Sequence, residues 1–396
     1  MTQASVATSA HPVSSARIWW SAWPLTAIFL LSNIPTPLFV IWKDSIGFST
    51  GMMTVIFSAY IGGLLVALPI AGVLADRLGR KVVLIPALVL GMTASVVFVL
   101  ASNVVMLLVG RLVTGLAVGA VVAAGMAAVS DVAGSLRKRE ASLAGSVAMG
   151  VGLAAGPLLS GAMSEAFGAP TKTVFFLELA LLASAVVSVS QLPRSARTVT
   201  TTWLKAPSVP KENRRDLIRG LAAYMPGMTG TSFILALSPA MLTEVIGSTN
   251  RIVSGAVPFV MFGFSTAVQF AIRRMSISST LVSATAFTAV GMLVSVYAVH
   301  DKSIPILVLG AILAGIGQGA AQLGAFSVLN SAVPRARIAE ANSALSFGGY
   351  VFAGIVPVAS GFVSDSSGLT TSATIFGVAT AVAAILAFGM LARWRD

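Results

Sequence analysis

The sequence predicts an all-α membrane protein with twelve transmembrane helices in two parallel six-helix repeats. Hydrophobic residues make up 56% of the 396 positions and charged residues only 10%, with a mean hydropathy of +0.93. Soluble domains carry about 25% charged residues, so this supply cannot build a water-facing surface. Apolar runs of about 18 residues or more recur along the chain, the length a helix needs to cross a bilayer. The chain also matches itself at an offset of 200 residues without a gap. Leu107, Gly110, Gly115 and Gly119 fall on Leu307, Gly310, Gly315 and Gly319. Arg137, Glu140 and Ala141 fall on Arg337, Glu340 and Ala341, and Pro157, Ser160 and Gly161 on Pro357, Ser360 and Gly361. The chain reads as two copies of one unit in parallel orientation.

Residues 1–17 form a Ser/Ala-rich N-terminal tail. The apolar run from 18 to about 42 is too long for the core of a cleaved signal peptide and reads as a retained first span. Spans follow at about 51–75, 82–101, 104–130, 140–163 and 173–192, completing a six-helix unit over 18–192. A polar, Pro-containing, basic linker occupies 193–216. The second unit, 217–392, holds spans at about 217–242, 252–272, 277–299, 304–332, 339–362 and 371–392, and 393–396 form a short tail.

The net charge of +12 would suit nucleic acid, but its distribution assigns it elsewhere. Of the 25 Lys and Arg, Arg111 lies inside the fourth span, and Lys43, Lys172, Arg251 and Lys302 fall on one side of the membrane. The remaining twenty, among them Arg77, Arg80, Lys81, Arg137, Lys138, Arg139 and the linker residues, fall on the side of the termini. By the positive-inside bias both termini are cytoplasmic, and no nucleic-acid partner is expected. The chain has no cysteine, and its two histidines, His11 and His300, are far apart, so no metal site and no cofactor are expected. Neither His-Glu-x-x-His nor Gly-x-x-x-x-Gly-Lys-Ser/Thr occurs, and there is no pair of intramembrane aspartates. That argues against an intramembrane protease and against ATP-driven transport, and the chain reads as no enzyme.

Three motifs carry a resemblance. The segment between spans two and three reads Gly72-Val-Leu-Ala-Asp76-Arg77-Leu-Gly79-Arg80-Lys81, where glycines allow a tight turn and close helix approach. Asp76 and Arg80 are spaced to pair at a helix end. The fourth span carries Arg111-Leu-Val-Thr114-Gly115, and the fifth carries Gly150, Gly152, Gly156-Pro157 and Gly161. Those glycines thin one helix face, and Pro157 bends the helix and frees a carbonyl. In order and position these motifs resemble those of the major facilitator superfamily, and the fifth-span motif resembles that of its twelve-helix drug/proton antiporters. The resemblance implies that Asp76, Arg80 and Asp131 latch one face of the protein. The second copy lacks the Gly72–Lys81 pattern, and Thr114 stands where the family has a glutamine.

Candidate substrate or coupling residues follow from polarity inside apolar spans. A central arginine costs about 2.5–3.5 kcal/mol on insertion scales, so Arg111 should face a polar interior. It serves either as a functional charge in a central cavity or as a packing group bonded to backbone carbonyls. Pro/Gly interruptions in corresponding spans of two repeats point to a transport site. The first span carries Ser32-Asn33-Ile-Pro35-Thr-Pro37, and the seventh carries Pro226-Gly227, Gly230-Thr231-Ser232 and Pro239. Asn33 reads as a cavity residue or an interhelical hydrogen-bond donor. Gln318 and Gln322, one turn apart, form a polar cavity wall or pair with each other; Gln269, Tyr60 and Tyr350 are weaker candidates. Glu178 is the carboxylate inside an apolar run and the candidate proton carrier, unless it lies at headgroup level.

The resemblance implies a secondary transporter of a bacterial inner membrane, exporting small hydrophobic or amphipathic compounds by alternating access. Protons would be the coupling ion, lipids the surroundings, a small molecule the substrate and a monomer the working unit. The alternative is an importer or uniporter of a small anionic or sugar-like solute, and a sensor or scaffold remains outside transport altogether.

Overall fold

The computed structural model describes residues 14–192, 208–334 and 337–394. Most of the N-terminal tail, most of the linker, and Arg335 and Arg395 lie outside the described residues. Among the described residues twelve spans form, within a few residues of the expected bounds.

The first span is broken. Helix α1 (Ser15–Asn33) stops before Pro35 and Pro37, a short turn covers Thr36–Leu38, and α2 (Phe39–Ile46) completes the crossing. The next five spans are α3 (Thr50–Leu78), α4 (Arg80–Leu100), α5 (Val104–Ala133), α6 (Lys138–Ala166) and α7 (Thr173–Ser190). Side-chain caps start several of them: the Ser49 and Asn103 oxygens accept from the backbone N–H groups of Met52 and Met106. The second copy runs α8 (Arg214–Ala240), α9 (Arg251–Ala271), α10 (Ile277–Asp301), α11 (Ile304–Ala332), α12 (Ile338–Ser367) and α13 (Leu369–Arg393).

Two expectations need correction. The Gly72–Lys81 segment is not a loop: α3 continues through Leu78, and Gly79 alone, at φ +100°, turns the chain into α4. A Cβ on Gly72 would meet nothing within 4 Å, so this glycine serves no close approach. The seventh span is also not broken where the first is. Helix α8 runs through Pro226 and ends in one π-helical turn, Met241–Val245, where the Thr243 hydroxyl donates to the Pro239 and Ala240 carbonyls. Single prolines spaced along α8 are absorbed, whereas two prolines two residues apart end α1.

Packing repeats at the sequence offset. Helix α5 packs on α3 and α4 as α11 packs on α9 and α10, and α1 lies on α6 as α8 lies on α12. The two copies meet along two seams, α6 against α9 and α3 against α12, which are one contact related by the repeat. A Cβ on Gly161 would lie 2.2 Å from the Arg251 carbonyl oxygen, and one on Gly361 would lie 2.9 Å from the Gly51 Cα. Each residue of one pair is offset by 200 from its counterpart in the other. Large apolar side chains such as Leu100, Val109, Phe176 and Leu386 are exposed around the perimeter, as lipid contact requires.

Gly161→Val should cost about 1–3 kcal/mol by overpacking the seam, read as a lower thermal midpoint in detergent. Gly168→Val should leave that midpoint unchanged, because a Cβ there meets nothing within 4 Å.

Candidate functional site: a cavity between the two copies

A cavity of about 200 Å³ lies where the two copies face each other. Its described lining comes from α1, α3, α5 and α6 and from their repeat mates α8, α9, α11 and α12. Helices α4, α7, α10 and α13 contribute nothing to it and form the outside of the bundle.

Arg111 anchors the first wall and is fully buried. Because α1 ends at Asn33, its last carbonyls lack intrahelical donors. Arg111 Nη1 donates to the Ser32 carbonyl at 2.6 Å, and Nη2 donates to the Phe57 carbonyl at 3.2 Å. The guanidinium carbon also lies 4.8 Å from the Tyr60 ring centroid, 5.5 Å from Phe57 and 5.8 Å from Phe39. Both sequence readings hold together: the arginine bonds backbone carbonyls and lines the cavity. Close approach of α3 and α5 brings these groups together, since a Cβ on Gly115 would lie 2.0 Å from the Tyr60 carbonyl oxygen.

Asn33 likewise does both things expected of it, lining the cavity and donating to the Leu153 carbonyl of α6 at 3.2 Å. The second wall is an amide network. The Ser265 hydroxyl donates to Gln318 Oε1 at 2.5 Å, and Gln318 Nε2 donates to Gln322 Oε1 at 3.3 Å. Gln269 Nε2 donates to the Ser265 carbonyl at 3.3 Å. Ser232, Tyr60 and Tyr350 also line the cavity. Sequence reasoning missed Ser265 and Thr266. The available signal was their position on α9, one turn before Gln269, which makes a polar stripe in an apolar span.

Glu178 sits on α7, which does not reach the cavity, and it is fully buried within the protein. Helix α7 packs on α1 and α4, and Phe175, one turn from Glu178, stacks on Phe98 with centroids 5.0 Å apart. Neither carboxylate oxygen of Glu178 has a hydrogen-bond partner.

The remaining motif residues lie away from the lining. Arg80 Nη1 donates to Asp76, and Arg80 Nε lies 3.6 Å from Asp131 Oδ2, so the three form one charge cluster at the face bearing the termini. On α6, a Cβ on Gly152 or Gly156 would lie 2.5 Å from the Thr26 or Leu30 carbonyl of α1. Gly161 and Pro157 instead meet α9, through Arg251 and Gly255. One helix therefore touches both its own copy and the other.

The sequence profile of the Major Facilitator Superfamily matches residues 25–279. The chain belongs to this superfamily. Among curated relatives, a multidrug resistance protein MdtL of Shigella flexneri serotype 5b is 28% identical over 301 residues, covering 71% of this chain and 73% of its own length. A protein of the same name from Escherichia fergusonii is 29% identical over 208 residues; the match spans 50% of this chain and about half, 51%, of that relative. Solved structures agree in fold. A nucleoside transporter NupG superposes with a TM-score of 0.72 at 15% identity, covering 94% of this chain and 99% of that one. A bacterial homologue of the lysosomal transporter Spinster, inward-facing and unoccupied, gives 0.74 at 12%, covering 96% and 97%. This superfamily member is a multi-pass membrane protein.

Gln318→Leu should leave Ser265 and Gln322 without their partner, at about 1–3 kcal/mol for each buried polar group stranded. The measurement is a lower thermal midpoint in detergent, with Gln318→Glu, which keeps an acceptor for Ser265, recovering most of it.

Proposed function

We propose that this transporter exports small hydrophobic or amphipathic compounds from a bacterial cytoplasm by proton-coupled alternating access, working as a monomer in the inner membrane with both termini inside. The observation that carries this reading is the position of the cavity relative to the bonds between the copies. Lys43 pairs with Glu244 at 2.5 Å, the Gly51 N–H donates to Asp365 at 2.9 Å, and Arg251 donates to the Ser164 carbonyl at 2.7 Å. All three cross from one copy to the other at the face opposite the termini. Two of them exploit helix ends, an aspartate at the start of α3 and an arginine at the end of α6. These bonds close that face, so the cavity is reached from the side of the termini. The excess of Lys and Arg on that side supports its being cytoplasmic.

Export is supported by the relatives named for multidrug resistance and by the Gly152–Gly161 helix, whose contacts join α1 to α9. A cavity with aromatic and thioether lining, from Phe29, Phe57, Phe262, Met149 and Met228, suits an amphipathic body. The halves 18–192 and 217–392 rock against each other, and the Asp76–Arg80–Asp131 cluster ties the ends of α3, α4 and α5 at the termini face into one unit during that motion. Glu178 carries the coupling proton from outside the cavity. The packing of its helix on α1 links it to the helix that Arg111 holds.

Cells carrying the protein should tolerate at least one class of amphipathic toxic compound better than cells without it. A protonophore should abolish the difference, and Glu178→Gln should do so while the protein still inserts. Increased susceptibility would instead indicate import, and indifference to the protonophore would indicate facilitated diffusion. Asp76→Asn should slow turnover in proteoliposomes while leaving equilibrium binding intact.

A further inference from the structure

The chemistry of the cavity narrows its ligand. Among the described residues that line it, Arg111 is the one carrying a charge, and no carboxylate faces it from any of the eight contributing helices. Among the described residues Arg111 makes no ion pair: its partners are the Ser32 and Phe57 carbonyls and three aromatic rings, all neutral. Carbonyl dipoles solvate the guanidinium but leave its full unit charge in place. Its Nε–H is buried and has no hydrogen-bond partner. The acids nearest in sequence are committed elsewhere, Asp131 and Asp76 to Arg80 and Glu244 to Lys43. Glu178 lies behind α1 on a helix that does not reach the cavity.

We infer that the cavity selects monoanionic amphipaths, an apolar or aromatic body bearing one carboxylate-class group that is bound by the free Nε–H edge of Arg111. This rests on the cavity being the transport site. A cation entering the same space would meet a like charge across a low-dielectric lining with no acid to offset it. A neutral ligand would leave the Nε–H unpaired. An anion pairs it and cancels the charge, through a charge-assisted hydrogen bond of the stronger class. The amide wall of Gln318, Gln322 and Gln269 accepts or donates and so fits the uncharged polar end of a ligand of either sign. The sign of selection is therefore set by one side chain. The termini face reinforces it, because Arg77, Arg80, Lys81, Arg273 and Arg274 would draw anions toward the entrance.

The test uses three probes with one fused-ring body: 2-naphthoate, 2-naphthamide and 2-naphthylmethylammonium. Binding to the purified full chain in detergent is measured by titration calorimetry. Naphthoate should bind at least about tenfold tighter than the amide, equivalent to about 1.4 kcal/mol, and the ammonium should bind weakest. Arg111→Gln should abolish the preference, so that naphthoate and the amide bind within about twofold of each other. Should that variant not fold, Gln318→Glu keeps Arg111 and adds an acid to the facing wall. It should weaken naphthoate by at least about tenfold and strengthen the ammonium. Equal affinities for the three probes, or an ammonium that binds as tightly as naphthoate, would overturn the inference and leave the transport reading standing. Binding of none of them would take down the cavity as the site together with the inference.

Discussion

A guanidinium in the middle of a membrane protein has to be solvated by the protein itself, and the way this chain does so organises its first half. The Arg111 donors reach two carbonyls, and one is available only because α1 stops at Asn33. A continuous helix would engage that carbonyl through the N–H four residues on. The Pro35–Pro37 break thus supplies the acceptor that the arginine needs, and the arginine satisfies a helix end that lipid could not. Three aromatic faces complete the shell. The result ties α1, α3 and α5 to one point on the cavity wall. Removing either feature strands the other.

The doubled scaffold and the cavity obey different rules. Helix packing repeats at the 200-residue offset, and Gly115 and Gly119 meet α3 as Gly315 and Gly319 meet α9, because close helix packing depends on small residues. The charge and the amides of the cavity do not repeat. Arg111 corresponds to Ala311, while Gln318 and Gln322 correspond to Val118 and Val122. One copy brings the charge and the other brings the amides. Duplication accounts for the architecture, and divergence at a handful of inward positions gives the cavity its two unlike walls.

This division explains what the sequence made legible. Twelve spans and their repeat could be read because hydropathy and glycine register are local, one-dimensional signals. Asn33, Arg111, Ser232, Gln318 and Gln322 could be placed in the cavity because a polar group within an apolar span has few other destinations. For Glu178 the same argument gives burial but not a place. Burial away from lipid can be met between helices as well as in a cavity, and only the packing of α7 on α1 and α4 distinguishes the two. Gly72 looked like part of a turn because the motif was read as one unit, whereas a single positive-φ glycine suffices. Ser265 and Thr266 were overlooked because hydroxyls are cheap to bury in a helix, where they can bond the preceding turn as Thr266 bonds the Phe262 carbonyl, and so give little hydropathy signal.

The location of the hydrogen bonds bears on how such a cavity could swing between faces. Every bond that Arg111 makes stays within the first copy, as does that of Asn33 to Leu153. The Ser265–Gln318–Gln322 network stays within the second. A relative rotation of the halves would therefore carry each polar wall along intact. The contacts between copies are of another kind. They are glycine-to-backbone approaches, which lose packing but no hydrogen bond on parting, a half-buried bond from the Ser58 hydroxyl of α3 to the Gly354 carbonyl of α12, and groups at the face opposite the termini, where water can replace a lost partner. Polar cost in the moving seam is thus kept small. What remains to couple the walls is whatever occupies the space between them, and a ligand that engages Arg111 at one end and the amides at the other meets that condition.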